Sequence, residues 1–151
     1  MDSLVLTGND TIVFNDHVMN DLSVADVATV EFPNNLATIH VGKNGNALMA
    51  LNETGNQADF ELRILRGSND DKYLQNRLNS QRNDFTGFTA LSGSFVKKLG
   101  DGAGNVSSDT YIFSGGIFQK QNSVKSNVEG EASQAETIYK MQFAKCARVI
   151  G

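Results

Sequence analysis

Between Ala58 and Leu65 apolar and polar residues alternate without a break. Ala58, Phe60, Leu62 and Ile64 fall on one side; Asp59, Glu61, Arg63 and Leu65 fall on the other. A period of two is that of an extended strand, and a helix would scatter these four apolar residues around its circumference. The segment from Gln57 to Arg66 is therefore predicted to be a strand with one face on a core and a polar face elsewhere.

The period changes immediately afterwards. Ser68 is a good N-cap, and Asp71, three residues on, is a short version of the capping-box acid. Asp70 and Asp71 also suit the positive end of a helix dipole. Tyr73, Leu74, Arg77 and Leu78 make one narrow stripe, so a helix of about three turns over Ser68 to Leu78 should lie against a sheet. Asn79 to Asp84 should end it.

The remaining chain reads as strands and turns. Leu4–Leu6 and Thr11–Phe14 flank the turn sequence Gly8-Asn9-Asp10, and Asn15 to Asp21 is turn-like. Val24 to Phe32 stops at Pro33-Asn34-Asn35. Asn44-Gly45 is the strongest hairpin signal, between a strand holding Ile39 and Val41 and a return arm from Ala47 to Leu51. Phe88–Leu99 is a strand with Gly93 at a bulge. Gly100 to Asn105 is a flexible tip before Val106–Phe113, and Gly115-Gly116 breaks that run. Lys120 to Ser133 reads as a short edge plus a loop, and Thr137 to Ala147 closes the chain. No βα unit repeats, which argues against a parallel-sheet enzyme fold. The expected fold is mainly β: an antiparallel β-sandwich or barrel-like subunit with one flanking α-helix, as a single domain over 1–151.

Composition narrows the function. A net charge of -4 argues against a general nucleic-acid binder, which needs a basic face for phosphates. The first fifty residues hold Asp2, Asp10, Asp16, Asp21, Asp26 and Glu31 against Lys43 alone, an asymmetry that head-to-tail stacking could use. Cys146 is single, so no internal disulfide can form, which fits a reducing compartment. The first residues lack a basic segment and an apolar run, so no signal peptide is expected, and no stretch approaches the ~20 apolar residues of a membrane span.

Candidate chemistry is sparse. His17 and His40 have no ligand-spaced partners for a metal and no adjoining nucleophile motif. Asp59 and Glu61 share a strand face, as acid/base carboxylates can, but Arg63 continues that face, and an alternating charged surface accounts for all three. Gly100 to Asn105 lacks the Lys-Ser/Thr ending of a phosphate loop, and Lys97-Lys98 is too small a basic patch for nucleic acid. Neither an enzyme nor a cofactor is expected. Assembly is the positive expectation, because long Asn-rich strands interrupted only by Pro33 leave sheet edges free to pair.

Laid out in order, these pieces resemble the tail tube proteins of contractile-tailed bacteriophages and the tubes of phage-derived contractile particles. The resemblance spans Leu4 to Gly151. It rests on the turn Val41-Gly42-Lys43-Asn44-Gly45-Asn46-Ala47, on Asn52-Glu53-Thr54-Gly55 leading into Ala58–Leu65, and on Gly67-Ser68-Asn69-Asp70 opening the helix. A middle strand pair and a late strand from Tyr139 to Cys146 complete it.

The resemblance implies a structural virion protein of the tail, synthesised in the host bacterial cytoplasm. Six subunits form a ring, rings stack, and the inner sheets join into one barrel around a channel for DNA ejection. Partners would be a sheath protein outside, tape measure protein and viral DNA transiently in the lumen, and baseplate and terminator proteins at the ends. It implies Val41, Gly42, Lys43, Asn44, Gly45, Asn46, Asn52 and Gly55 as inter-ring candidates, although the Gly100–Asn105 tip could take that part. Asp59, Glu61 and Arg63 are the lumen candidates, and Asp70, Lys72, Gln75 and Asn76 would face the sheath. Two alternatives share much of the sequence: a ring-forming tail terminator or baseplate hub, and a non-catalytic β-sandwich binding module. The latter would want exposed aromatics near loops, yet Trp is absent.

Overall fold

A computed structural model of the chain describes residues 5–22, 27–126 and 132–151. The strands are β1 (Val5–Phe14), β2 (His17–Val18), β3 (Ala28–Glu31), β4 (Ala37–Val41), β5 (Ala47–Leu51), β6 (Ala58–Leu65), β7 (Leu91–Gly100), β8 (Val106–Phe118), β9 (Ser123–Val124) and β10 (Glu136–Ile150). One α-helix, α1 (Asn69–Asn83), lies between β6 and β7, and short 3-10 turns occupy Glu53–Asn56 and Ala132–Ala135. The main sheet is antiparallel in the order β2-β1-β7-β8-β10-β6-β3, with β9 also on β10. The β4–β5 hairpin forms a separate two-stranded sheet.

The alternating segment behaves as its pattern demands: Ala58, Phe60, Leu62 and Ile64 are buried, and Asp59, Glu61 and Arg63 are half-buried. β10 is the long strand that joins the two halves of the sheet. Its first half, Glu136 to Phe143, pairs with β6, and its second, Met141 to Ile150, pairs with β8. The in-out alternation slips where Ser114–Gly115 of β8 lies beside Ala144–Lys145 of β10, and Gly115 takes a positive φ of 64° there. Such an irregularity re-aims the strand and lets one sheet supply both faces of a core. The result is sandwich-like: β3, β6 and the first half of β10 oppose β1, β7, β8 and the second half of β10. Phenylalanines fill the space between. Phe14 meets Phe60 edge-on at 5.6 Å, Phe60 meets Phe113 at 5.1 Å, and Phe113 meets Phe143 at 4.7 Å. Such aromatic contacts add to the area they bury.

Several elements differ from their sequence patterns. Gly8-Asn9-Asp10 does not split the first segment; β1 runs through it with a register shift between Leu6 and Asp10, because β7 pairs with it on both sides of the irregularity. Gly115-Gly116 does not end β8 either, since the positive φ and the Phe143 ring over Gly116 accommodate both glycines within the strand. The predicted Val24–Phe32 strand is shorter, β3, and residues 23–26 lie outside the described residues. So do residues 127–131 of the predicted Lys120–Ser133 loop. The helix continues past Leu78 to Asn83. Its last turn has poor intrinsic propensity, but the Gln81 amide donates to Phe118 O at 3.0 Å and accepts from Phe118 N at 2.8 Å. That pair of bonds to β8 outweighs the weak local preference. Leu74 and Leu78 are buried as the stripe requires, whereas Arg77 reaches outward to Thr89 O.

Phe60 touches Phe14, Phe95, Phe113 and Phe143 at the centre of the cluster. Phe60→Ala is expected to cost about 3–5 kcal/mol through the void it leaves. Urea unfolding monitored by circular dichroism measures it; a loss below about 1 kcal/mol would mean that the layers close over the gap.

Candidate assembly surface

The sequence Phe32 to Asn52 contains a single ordinary charge, Lys43, and its residues from Glu31 to Leu51 are all exposed. Asn44-Gly45 makes the turn, with Gly45 at a φ of 85°, where a side chain would be strained. Cross-strand pairs Ala37–Leu51, Ile39–Met49 and Val41–Ala47 place one apolar set on a common face. Thr38–Ala50 and His40–Leu48 occupy the other face, with Leu36 following the same alternation. Leu36, Ile39, Val41, Leu48, Met49 and Leu51 are between 58% and 73% exposed. Scattered surface leucines need no explanation, but an uncharged arm bearing six large aliphatic side chains is a contiguous patch of the kind that marks an interaction surface.

The base of the arm is firmly built. Asn52 N donates to Leu36 O at 2.8 Å, and the Asn52 carboxamide caps the 3-10 turn by accepting from Thr54. Gly55 lies so close to the backbone of Asn35 and Leu36 that a Cβ would collide with it. Of the expected inter-ring residues, Val41, Gly42, Lys43, Asn44, Gly45 and Asn46 are exposed at the tip. Asn52 and Gly55 sit at the base instead, and Gly55 is buried.

Two sheet edges are open as well. β1 pairs with β7 on one side, but β2 covers only Val13 and Phe14 on the other, leaving Val5 to Thr11 without a strand partner among the described residues. β6 starts at Ala58 opposite Phe143, so Ala144 to Ile150 of β10 lacks a strand partner on that side among the described residues. Because β1, β7, β8 and β10 alternate in direction, β1 and β10 run oppositely. An edge-to-edge contact between two copies would therefore continue the antiparallel order.

The outward faces of the two layers differ in chemistry. Beside Asp59, Glu61 and Arg63 stand Thr29 and Glu31 of β3 and Lys140 and Gln142 of β10, around a cleft of about 220 Å³. Arg63 contacts Glu61 at 3.4 Å and Glu136 at 3.8 Å. These are half-exposed pairs that add little stability. The opposite layer presents Thr11, Val13, Ser94, Val96, Thr110, Ile112, Ala147 and Val149, with Lys98 the charge in that set. Its charged pairs lie on the inward side, at the end of the core: Asp10 with Lys97 at 3.1 Å, and Asp109 with Arg148 through two contacts of 2.8 Å. The Arg148 hydrogen bonds hold the Asp109 carboxyl below the usual carboxylate range.

The helix start brings Asp70 inward, contrary to its expected place facing a sheath. Asp70 is 1% exposed; Oδ1 lies 2.7 Å from His17 Nε2, and Oδ2 accepts from the backbone N–H of Asn20 and Asp21 at 2.6 and 2.7 Å. The dipole argument explained an acid at this position without requiring a partner, and only the fold brings residues 17–21 to it. His17 also stacks on Tyr73 at 4.1 Å. Asp71 accepts from Gly67 N at 2.8 Å, from Thr137 Oγ1 at 3.2 Å and from the Tyr139 hydroxyl at 2.6 Å. Burial, with Asp71 beside it, pushes the Tyr139 hydroxyl far above its ordinary value. Lys72 and Asn76 are exposed, and Gln75 is half-buried, with its carboxamide oxygen near the Tyr139 hydroxyl.

Burial pushes the Cys146 thiol up to about 11, so it stays protonated and weakly nucleophilic near neutral pH. Among the described residues no three His, Cys, Asp or Glu side chains come together to hold a metal ion, and no helix is long and apolar enough to cross a membrane. In comparisons with known proteins, no family model matches the chain and no curated protein matches it.

Asp70→Asn is isosteric but has one accepting oxygen, so it must turn an N–H toward either His17 or the backbone donors. It should destabilise the chain by about 1.5–3 kcal/mol, read from the denaturation midpoint at constant slope. An unchanged midpoint would remove Asp70 as the anchor of residues 17–21.

Proposed function

We propose that this chain is a structural subunit that assembles with copies of itself into stacked rings, probable in number six by its resemblance to phage tail tubes, forming a tube inside a contractile sheath and a channel for viral DNA. The observation that carries the reading is the uncharged β4–β5 arm, which exposes aliphatic side chains while the body has its own filled core. An arm of this composition gains by burial in a neighbour, at about 25 cal/mol per Å² of apolar surface.

The open edges of β1 and β10 supply the second contact. Pairing β10 of one subunit with β1 of the next would extend one antiparallel sheet around a ring, and closure would leave no free edge. The arms would then join ring to ring. Tape measure protein would occupy the lumen before DNA, with terminator and baseplate proteins at the tube ends. The virion tail is the corresponding location.

This geometry changes the proposed channel face. A ring closed through β1 and β10 lines its channel with the outward face holding Thr11, Ser94, Val96, Thr110 and Ile112. Asp59, Glu61 and Arg63 then lie on the outer wall, with Lys72 and Asn76 available to a sheath. A hydroxyl-rich wall without carboxylates would limit sticking by offering DNA few charged contacts.

Electron microscopy of the purified chain across protein and salt concentration tests the reading. Long tubes with a stain-filled channel are expected, and a chain that remains monomeric throughout would overturn it. Replacing Asn44-Gly45 by Ala-Ala should shorten or abolish tubes while leaving the unfolding midpoint within about 1 kcal/mol of the parent, as for a surface turn.

The channel face has its own test. In assembled tubes, Ile112→Cys should be protected from a maleimide-bearing polymer too large for the channel, while Glu61→Cys should react. The reverse pattern would return the channel to the β6 face.

A further inference from the structure

We propose that each β4–β5 arm is clasped on both of its faces by two different copies of the chain, so that neighbouring subunits must join side by side before an arm can dock. This rests on the assembly reading above and specifies its order. The arm has two apolar faces: Ile39, Val41, Met49 and Leu51 project on one, and Leu36 and Leu48 on the other. An arm that lay flat on one partner would bury the first set and leave Leu36 and Leu48 in water. Yet Leu48 is 66% exposed and Leu36 is 58% exposed, and their face carries no ordinary charge.

Size leads to the same arrangement. Two five-residue strands give a face of about 17 by 10 Å, from ~3.4 Å per residue and ~4.8 Å between strands. Even with side-chain relief, one such face falls well short of the ~800 Å² per partner found in stable interfaces. Using both faces enlarges the contact, and a ring presenting several arms at once multiplies it without needing a stronger single site. The occupant is a copy of this chain because the body supplies uncharged apolar surface of its own: Ile112 is 53% exposed and Val149 57% exposed. A partner selected by charge would find only Lys43 on the arm outside His40.

Two copies brought together by the β1 and β10 edges create the pair of walls that such an arm needs. A lone subunit offers one wall. Docking is consequently weak onto monomers and strong onto a formed ring, which favours stacking of completed rings over growth by random addition.

The experiment compares Ile39→Glu and Leu48→Glu with the parent by sedimentation velocity and electron microscopy, using thermal unfolding as the fold control. Both variants should raise the concentration for half-maximal tube formation at least tenfold, and rings should persist. Ala50→Asp, on the Leu48 face, is a second probe with a smaller side chain and should act likewise. If the parent forms tubes and both Leu48→Glu and Ala50→Asp form them equally well, two-sided clasping is overturned while the assembly reading stands. If the parent never assembles, both fall.

Discussion

Two adjacent carboxylates at the first turn of α1 hold the two halves of this fold in register. Asp70 reaches residues 17–21, which follow β1, and Asp71 reaches Thr137 and Tyr139 on β10. Neighbouring residues on a helix point about 100° apart, so one turn can address two separate elements. A buried carboxylate without donors would be costly, but Asp70 receives two backbone N–H groups and His17, and the helix dipole adds a favourable field. The helix is thereby more than a cover over Leu74 and Leu78. It fixes the position of β1 relative to β10 and so the shape of the block whose outer edges remain open.

This division explains which features were legible in the sequence. The strand Ala58–Leu65 and the Asn44-Gly45 hairpin depend on local period and turn chemistry, and both are present. Gly8-Asn9-Asp10 and Gly115-Gly116 are local turn signals too, yet β7 and β10 pair across them and carry the strands through. Tertiary pairing overrides local preference at those sites. The inward aim of Asp70 was hidden for another reason: its partners lie about fifty residues away, at Asn20 and Asp21. No spacing within the helix records that contact. Sheet edges were legible only as a general tendency to pair, since naming β1 and β10 requires the strand order.

The arm and the body have opposite relations to solvent. In the body, Phe14, Phe60, Phe113 and Phe143 are almost fully enclosed by residues of the same chain. In the arm, alternation has lost its usual use, because neither side is covered and apolar residues occur on both. Its backbone is organised by the glycine turn and by the Leu36–Asn52 contact at its base. Conformational order is therefore present before a partner arrives, which lowers the entropic cost of binding compared with a disordered segment.

The chemistry of the two outward faces follows from the same separation. On the β6 layer, Glu61 has Lys140 opposite and Arg63 beside it, so opposing charges are already close together and remain hydrated. On the β1–β7–β8 layer, the charges have been drawn to the inward side as Asp10–Lys97 and Asp109–Arg148. Those pairs close the end of the aromatic core, where water begins, and leave the outward side to Ser, Thr and aliphatic groups. An edge contact can then extend a nearly neutral wall from one copy to the next without bringing like charges together across each join. Pairing polarity, edge accessibility and neutral side chains are compatible in this layer, whereas β6 is already covered by β3 and β10 along its paired length. The physical basis for self-assembly thus lies in the combination of a finished core, an apolar arm and a layer whose backbone bonding is incomplete.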